Sequence, residues 1–430
     1  MVEKIIIGKD KKDLQEFGDK GTIFLGKHIV GEGEDAHMTN PVYMDVTRPH
    51  IMLISGKRGS GKSYTGSVIA EEITTLPKEI RNNISVLMID TMGIFWSMNY
   101  PNERDRELLS EWNMKPRGIK TRFFVPEKFV EEYDKYGINV DTSFKLQTSD
   151  MTANDWSMTF GFSFIESTGI AIEKTIKKLK KNFGDDYSIL DIISDFQEDP
   201  SLNEETKNLL ISRFSAAHDW GLFHKTGTPV NKLFQRGQIS VIDVSHYERT
   251  GTGWSVKSML TGLLSRRIFQ ERLTARKAEE FEVISGETHE TIPMVWLIID
   301  EAHQFIPSDG RTVATEPLLT LVKEGREPGI SLALITQRPN KLHPDALAQA
   351  DIVLSHRLTS QDDITALQSV MQTYMQEDIK EYINNLPKQK GTAILIDDNS
   401  ERIFPIQVRP RVSWHAGGSP SAIKKKGLFD

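Results

Sequence analysis

Three short stretches of this 430-residue chain hold residues whose types and spacing can do chemistry. The first is Gly56-Lys57-Arg58-Gly59-Ser60-Gly61-Lys62-Ser63 with Tyr64 behind it, set between the apolar run Ile51–Ser55 and the helix-spaced segment Ser63–Thr74. Glycines at this spacing let the backbone curl until successive N–H groups face one anion. The helix that follows turns its positive end toward the same point. A G-x-x-x-x-G-K-[ST] pattern between a strand and a helix is a phosphate cradle, so residues 56–64 are expected to hold ATP. In such a cradle Lys62 reaches the β- and γ-phosphates and the Ser63 hydroxyl ligates Mg²⁺.

A nucleotide with magnesium needs an acid, and "MVWLIIDEAHQFIP" supplies two. The apolar run Val295–Ile299 delivers Asp300 and Glu301 to the carboxyl end of a strand, where open α/β sheets bind their ligands. Asp300 suits the metal, and Glu301 suits polarising a water molecule, which favours hydrolysis over transfer to another acceptor. The letters D-E-A-H also mark a class of RNA helicases, but the Ser-Ala-Thr and arginine-rich motifs of that class are absent. Ala302 and His303 are therefore expected only to begin a helix. The third stretch, "LALITQRPNKLHP" (332–344), is an apolar strand that turns polar at Thr336, Gln337 and Arg338 before Pro339. Polar residues and a proline are ordinary strand punctuation. Beside the other two strands, however, the Gln337 amide is expected to stand near the γ-phosphate. An amide donates to phosphate and accepts from water at once, so it can sense whether that phosphate is present.

The elements that position these residues alternate along the chain. Apolar runs at Ile51–Ser55, Ile84–Ile89, Arg122–Val125, Ile239–Val244, Met294–Ile299, Ser331–Ile335 and Thr392–Ile396 are separated by helix-spaced segments such as Val256–Lys277 and Glu316–Lys323. This rhythm predicts an α/β fold with a largely parallel sheet flanked by helices. Residues 140–235 break it with long amphipathic patterns and no convincing strand. They are expected to form a helical insertion at one edge of the sheet, dividing the core into 51–139 and 236–412. A short β segment (1–50) precedes the core and a tail (413–430) follows it.

Composition narrows the partners. Lys plus Arg number 53 against 60 Asp plus Glu, a formal charge of −7, so a polyanion would have to meet a local basic surface. The absence of cysteine excludes disulfides and thiolate-held metals and fits a reducing, cytoplasmic setting. No stretch approaches the roughly 18 to 20 apolar residues of a membrane span.

Taken together, the three motifs resemble the HerA branch of the HerA/FtsK class of ring-forming DNA-translocating ATPases. Two further stretches carry the likeness, "LVKEGREPGISLALITQRPNKLHPDALAQADIVLSHRL" and "FPIQVRPRVSWHAGG". The resemblance implies a RecA-like P-loop core, a homohexameric ring, ATP hydrolysed between subunits, double-stranded DNA drawn through the channel, and a nuclease or other effector as partner. Alternatives are a conjugation or packaging pump, or a nucleotide-dependent assembly switch. The chain departs from the pattern in two places. Only fifty residues precede Ile51, with "GTIFLGKHIV" and "PVYMDV" standing where the family has a small β-barrel. Ile94 stands where the family often has an acid, although Asp90 and Gly93 are kept.

Ring ATPases of this kind complete each site with an arginine from the next subunit. The resemblance assigns this role to Arg326 in "KEGREPG", with Arg357, Arg409 and Arg411 as alternatives. For DNA, the charge run Lys177, Lys178, Lys180 and Lys181 in the helical insertion could meet phosphate, although such a run also suits a solvated helix face.

Overall fold

The computed structural model describes residues 3–31, 35–249, 253–369, 382–383 and 385–418. Its strands are β1 (Ile5–Ile7), β2 (Thr22–Val30), β3 (His37–Asp45), β4 (Ile51–Ser55), β5 (Ile84–Asp90), β6 (Thr121–Pro126), β7 (Thr142–Phe144), β8 (Leu146–Gln147), β9 (Phe223–His224), β10 (Ile239–Asp243), β11 (Met294–Ile299), β12 (Ile330–Thr336), β13 (Ile352–His356), β14 (Thr392–Asp397) and β15 (Arg402–Val408). All but β8 and β9 join one sheet in the order β1-β3-β2-β15-β14-β13-β4-β12-β11-β5-β10-β6-β7. From β13 to β7 every neighbouring pair is parallel. Between β13 and β3 the pairs are antiparallel, and β1 returns parallel to β3.

The central strands are apolar runs because helices cover both of their faces. Every residue of β4, β5, β10, β12 and β13 is buried, and alternate side chains enter two separate cores. Ile51, Leu53, Leu87 and Ile89 lie in one, Met52, Ile54, Val86 and Met88 in the other, as the two-residue period of a pleated strand requires. This is the α/β P-loop architecture, and each of the seven apolar runs lies within a strand or overruns it by one residue.

The differences lie at the edges. β13 was not expected as a strand, yet it is the second neighbour of β4. "GTIFLGKHIV" and "PVYMDV" form β2 and β3, which extend the same sheet through β15. In the region 140–235 four helices dominate: Ala153–Phe160, Ser167–Phe183, Ile189–Glu198 and Glu204–Asp219. Two of them start on capping boxes, Thr152 with Asp155 and Ser188 with Asp191. The expectation of no strand there is corrected by β7, β8 and β9, three short segments of two or three residues each. They are too short to show a period of their own and pair only because the sheet edge and the packed helices offer partners. Of the expected tail, residues 419–430 lie outside the described residues. No helix among the described residues is long and apolar enough to cross a membrane.

Candidate active site

The cradle sits between β4 and the helix Lys62–Ile73. Gly56 shows why the loop needs glycine, since a Cβ there would stand 2.6 Å from both His356 Cβ and Ser60 Oγ, at a φ of 148°. The loop is held from beneath by the neighbouring strand ends. Lys57 N donates to Arg357 O at 3.0 Å, and Gly391 N to Ser60 O at 3.3 Å. His356, fully buried at the end of β13, lies 2.9 Å from Thr392 O through Nδ1 and 2.9 Å from Thr65 Oγ1 through Nε2. Burial keeps its pKa down at about 4, so the ring is neutral. Its Nδ1–H donates to the Thr392 carbonyl, leaving Nε2 to accept from the Thr65 hydroxyl.

β11 brings the acids to the cradle. Ser63 Oγ donates to Asp300 Oδ2 at 2.6 Å, and Glu301 N to Asp300 Oδ1 at 2.8 Å. Burial pushes the Asp300 carboxyl up even against these bonds and the charge of Lys62. Burial likewise pushes the Lys62 ammonium down against the pull of Asp300 and Glu301, and its Nζ donates to Lys57 O at 3.2 Å. A hydroxyl and a buried carboxylate in contact form a donor set that suits a hard cation, and the lysine within the glycine loop suits phosphate. Glu301 adopts φ 54° and ψ 42°, the left-handed region that a residue other than glycine occupies only when its surroundings enforce it. That turn redirects the chain directly after the strand.

β12 supplies the third element. Thr336 pairs in register with Ser55, the residue before Gly56, and Gln337 follows, half-buried. Thr336 Oγ1 accepts from Arg338 N at 3.0 Å and lies 3.0 Å from His303 Nδ1. Lys62, Ser63, Asp300, Glu301, Thr336 and Gln337 thus gather at the carboxyl ends of three adjacent parallel strands.

Other candidates lie elsewhere. Asp90 is fully buried and pushed up to about 8 by burial and by Asp243, its register partner on β10. It accepts the N–H groups of Met92, Gly93, Ile94 and Phe95 at 2.7–3.1 Å, so it builds the turn after β5. Arg326 precedes β12 at the opposite, amino end of the sheet, half-exposed, with Nη2 3.3 Å from Asp351 Oδ2. Arg357 stands beside its own cradle. Arg409 and Arg411, offered as alternatives for a neighbour's site, are corrected by their burial. Both are 0 % exposed and bound to Glu71 of the Lys62–Ile73 helix, at 3.0 and 3.4 Å. A guanidinium closed off in this way holds its own C-terminal segment to the cradle helix. Arg411 N also donates to Tyr64 Oη at 2.5 Å, which anchors Tyr64 there. In the charge run, Lys177 pairs with Glu173 and Lys178 with Asp195, while Lys180 and Lys181 are exposed. The run lies on the helix Ser167–Phe183, in the region that joins the sheet at its β7 edge.

Sequence patterning missed β13 with His356, and it missed Glu71. A buried acid inside an amphipathic helix was the available signal for the second; the first, a five-residue run ending in Ser-His, offered little.

Residues 23–268 match the family described as "Helicase HerA, central domain". The chain belongs to this family. Membership makes it a P-loop ATPase of the helicase class. The matched stretch contains the cradle and ends before Asp300. Among curated relatives, a probable DNA double-strand break repair helicase HerA of Methanocaldococcus jannaschii is 22% identical over 383 residues, covering 79% of this chain and 68% of that protein. The DNA double-strand break repair helicase HerA of Sulfurisphaera tokodaii is 21% identical over 422 residues, covering 96% and 74%. Among solved structures, VirB4 of Thermoanaerobacter pseudethanolicus shares the fold with a TM-score of 0.56 at 12% identity, covering 91% of this chain and 97% of that one.

Proposed function

We propose that this HerA-family chain is a DNA-translocating motor that hydrolyses ATP with Mg²⁺, assembles as a homohexamer around double-stranded DNA, and works with a nuclease or other effector. One observation carries the reading. Lys62, the Ser63–Asp300 contact, Glu301 and Gln337 converge at the carboxyl ends of β4, β11 and β12, in a chain whose relatives are named as DNA break repair helicases.

The roles follow from the chemistry of each group. Lys62 and the backbone N–H groups of residues 56–63 bind the phosphates, and Ser63 and Asp300 hold the magnesium ion. Glu301 accepts the proton of the attacking water. Gln337 contacts the γ-phosphate, and Arg326 reaches from an adjacent subunit to neutralise the charge that develops on transfer. For that reach Arg326 must leave Asp351; its own guanidinium is half-exposed, and the buried Asp351 carboxylate keeps its bonds to His50 and to Ile51 N when it goes. Lys180 and Lys181 provide phosphate contacts to DNA without reading bases.

The test is ATP turnover with and without duplex DNA, joined to images of the protein with a non-hydrolysable ATP analogue and DNA. The motor reading expects rings around duplex and turnover that rises with DNA. Turnover indifferent to DNA in protein that still binds partners would support a switch instead.

A further inference from the structure

His303 looked idle in the sequence, yet the fold places it between the Glu301 carboxylate and the strand that carries Gln337. Ala302–Gln304 form a single 3₁₀ turn directly after the left-handed Glu301. The turn carries the ring toward β12, so that Nδ1 lies 3.0 Å from Thr336 Oγ1 and 3.5 Å from Glu301 Oε2. On its far side, Nε2 lies 3.1 Å from Gln304 Nε2. With the Gln304 amide donating there, the one ring proton is on Nδ1 and faces both Thr336 and Glu301. Burial, with the charges of Arg338 and Lys62, keeps the ring's pKa down at about 4, so it carries no charge that would neutralise Glu301.

Here the N–H is bonded to Thr336, and Glu301 Oε2, 3.5 Å away, is a second acceptor that a small shift would bring into range. When it leans to Glu301, the carboxylate is held and is a weaker base. When it leans to Thr336, Glu301 Oε2 loses that one hold. Thr336 Oγ1 also accepts from Arg338 N at 3.0 Å, so a shift of the chain after Gln337 moves the hydroxyl that competes for the proton.

We propose that His303 is a positioning residue that couples the Glu301 carboxylate to the end of β12, so that a change at Thr336–Arg338 on DNA binding switches Glu301 between a held and a water-directed orientation. The proposal rests on the reading of Glu301 as the group that activates water.

The experiment measures ATP turnover with and without duplex DNA, and the affinity for a fluorescent ATP analogue, in the full chain. In His303→Ala the ratio of stimulated to unstimulated turnover should change at least ~5-fold while analogue affinity stays within ~2-fold, a split that lost packing alone would not produce. His303→Asn, which restores an N–H near the position of Nδ1, should recover most of the ratio. Thr336→Val should reproduce the change, and the double variant His303→Ala/Thr336→Val should be no worse than either single one. An unchanged ratio in His303→Ala, effects that multiply in the double variant, Asn no better than Ala, or a wild-type rate that DNA leaves untouched would each overturn the coupling. Should His303→Ala not fold, the ratio in Thr336→Val decides. Glu301→Gln is run alongside. If it still turns over, both the hydrolysis reading and this proposal fall, whereas an inactive Glu301→Gln with an unchanged ratio in His303→Ala removes the coupling alone.

Discussion

At the amino ends of β4 and β13 the chain compensates its own buried charges, whereas at the carboxyl ends of β4 and β11 it does not. His50, just before β4, has Nδ1 2.7 Å from Asp351 Oδ2 and Nε2 3.5 Å from Asp45 Oδ2. Burial alone would depress its pKa, but the hydrogen bonds and charges of Asp351 and Asp45 outweigh it and raise it to about 9. Asp351 shows the mirror result, held down despite burial by His50 and Arg326. Across the sheet the signs reverse. Asp300 is pushed up and Lys62 down, so each charged form is disfavoured where it stands. The amino end is finished by the chain itself; at the carboxyl end, on the proposed reading, a cation and an anion from outside would do so.

Variants at each end can break or sharpen that contrast. The largest effect is expected from Glu301→Gln, which should bind ATP but turn over at least ~100-fold more slowly, as loss of general-base help does. Lys62→Ala should lose binding as well. Near-normal turnover in Glu301→Gln, measured at saturating ATP, would make the carboxyl end a binding site without the catalytic base assigned to it.

Next comes Gln337→Ala, expected to keep ATP affinity while DNA-stimulated turnover falls roughly tenfold, less than the ~100-fold or more lost with a full transition-state donor. Weak ATP affinity with intact DNA stimulation would return Gln337 to plain strand punctuation.

A ligand effect on stability should follow. If the carboxyl end lacks its counter-charges, ATP with Mg²⁺ at a hundred times its dissociation constant should stabilise the fold by about 2.7 kcal/mol, seen as a raised Tm, and a chelator should remove most of that gain. A Tm indifferent to nucleotide would contradict the contrast.

The amino end makes the smaller, pH-dependent prediction. Because the folded pKa of His50 is above its ordinary value, its contribution is fully present below about pH 6.5 and is lost as pH rises through about 9. Tm should therefore decline across that window by an amount that reflects a few kcal/mol at most. His50→Gln should be less stable at pH 6 and flatter from pH 6.5 to 9. An equally steep decline in His50→Gln would place the titrating group elsewhere.

Much of the carboxyl end was legible beforehand because each of its parts is contiguous. A glycine loop after an apolar run, two acids at the end of another, and an amide at the end of a third are each set by neighbouring residues and strand periodicity. The sequence by itself determined the α/β core, the cradle and the acid pair for that reason. What only the tertiary structure decided are contacts between distant parts of the chain. His356 meets Thr65 across 291 positions and Arg409 meets Glu71 across 338, so no local pattern announces either. β2 and β3 became sheet extensions only because β15 offers them an edge. His303, written among helix-start letters, acquired neighbours when β11 and β12 paired in register. Local chemistry is encoded by spacing along the chain, but which groups finish one another's hydrogen bonds and charges depends on strand order, and that is settled by the burial of the whole sheet at once.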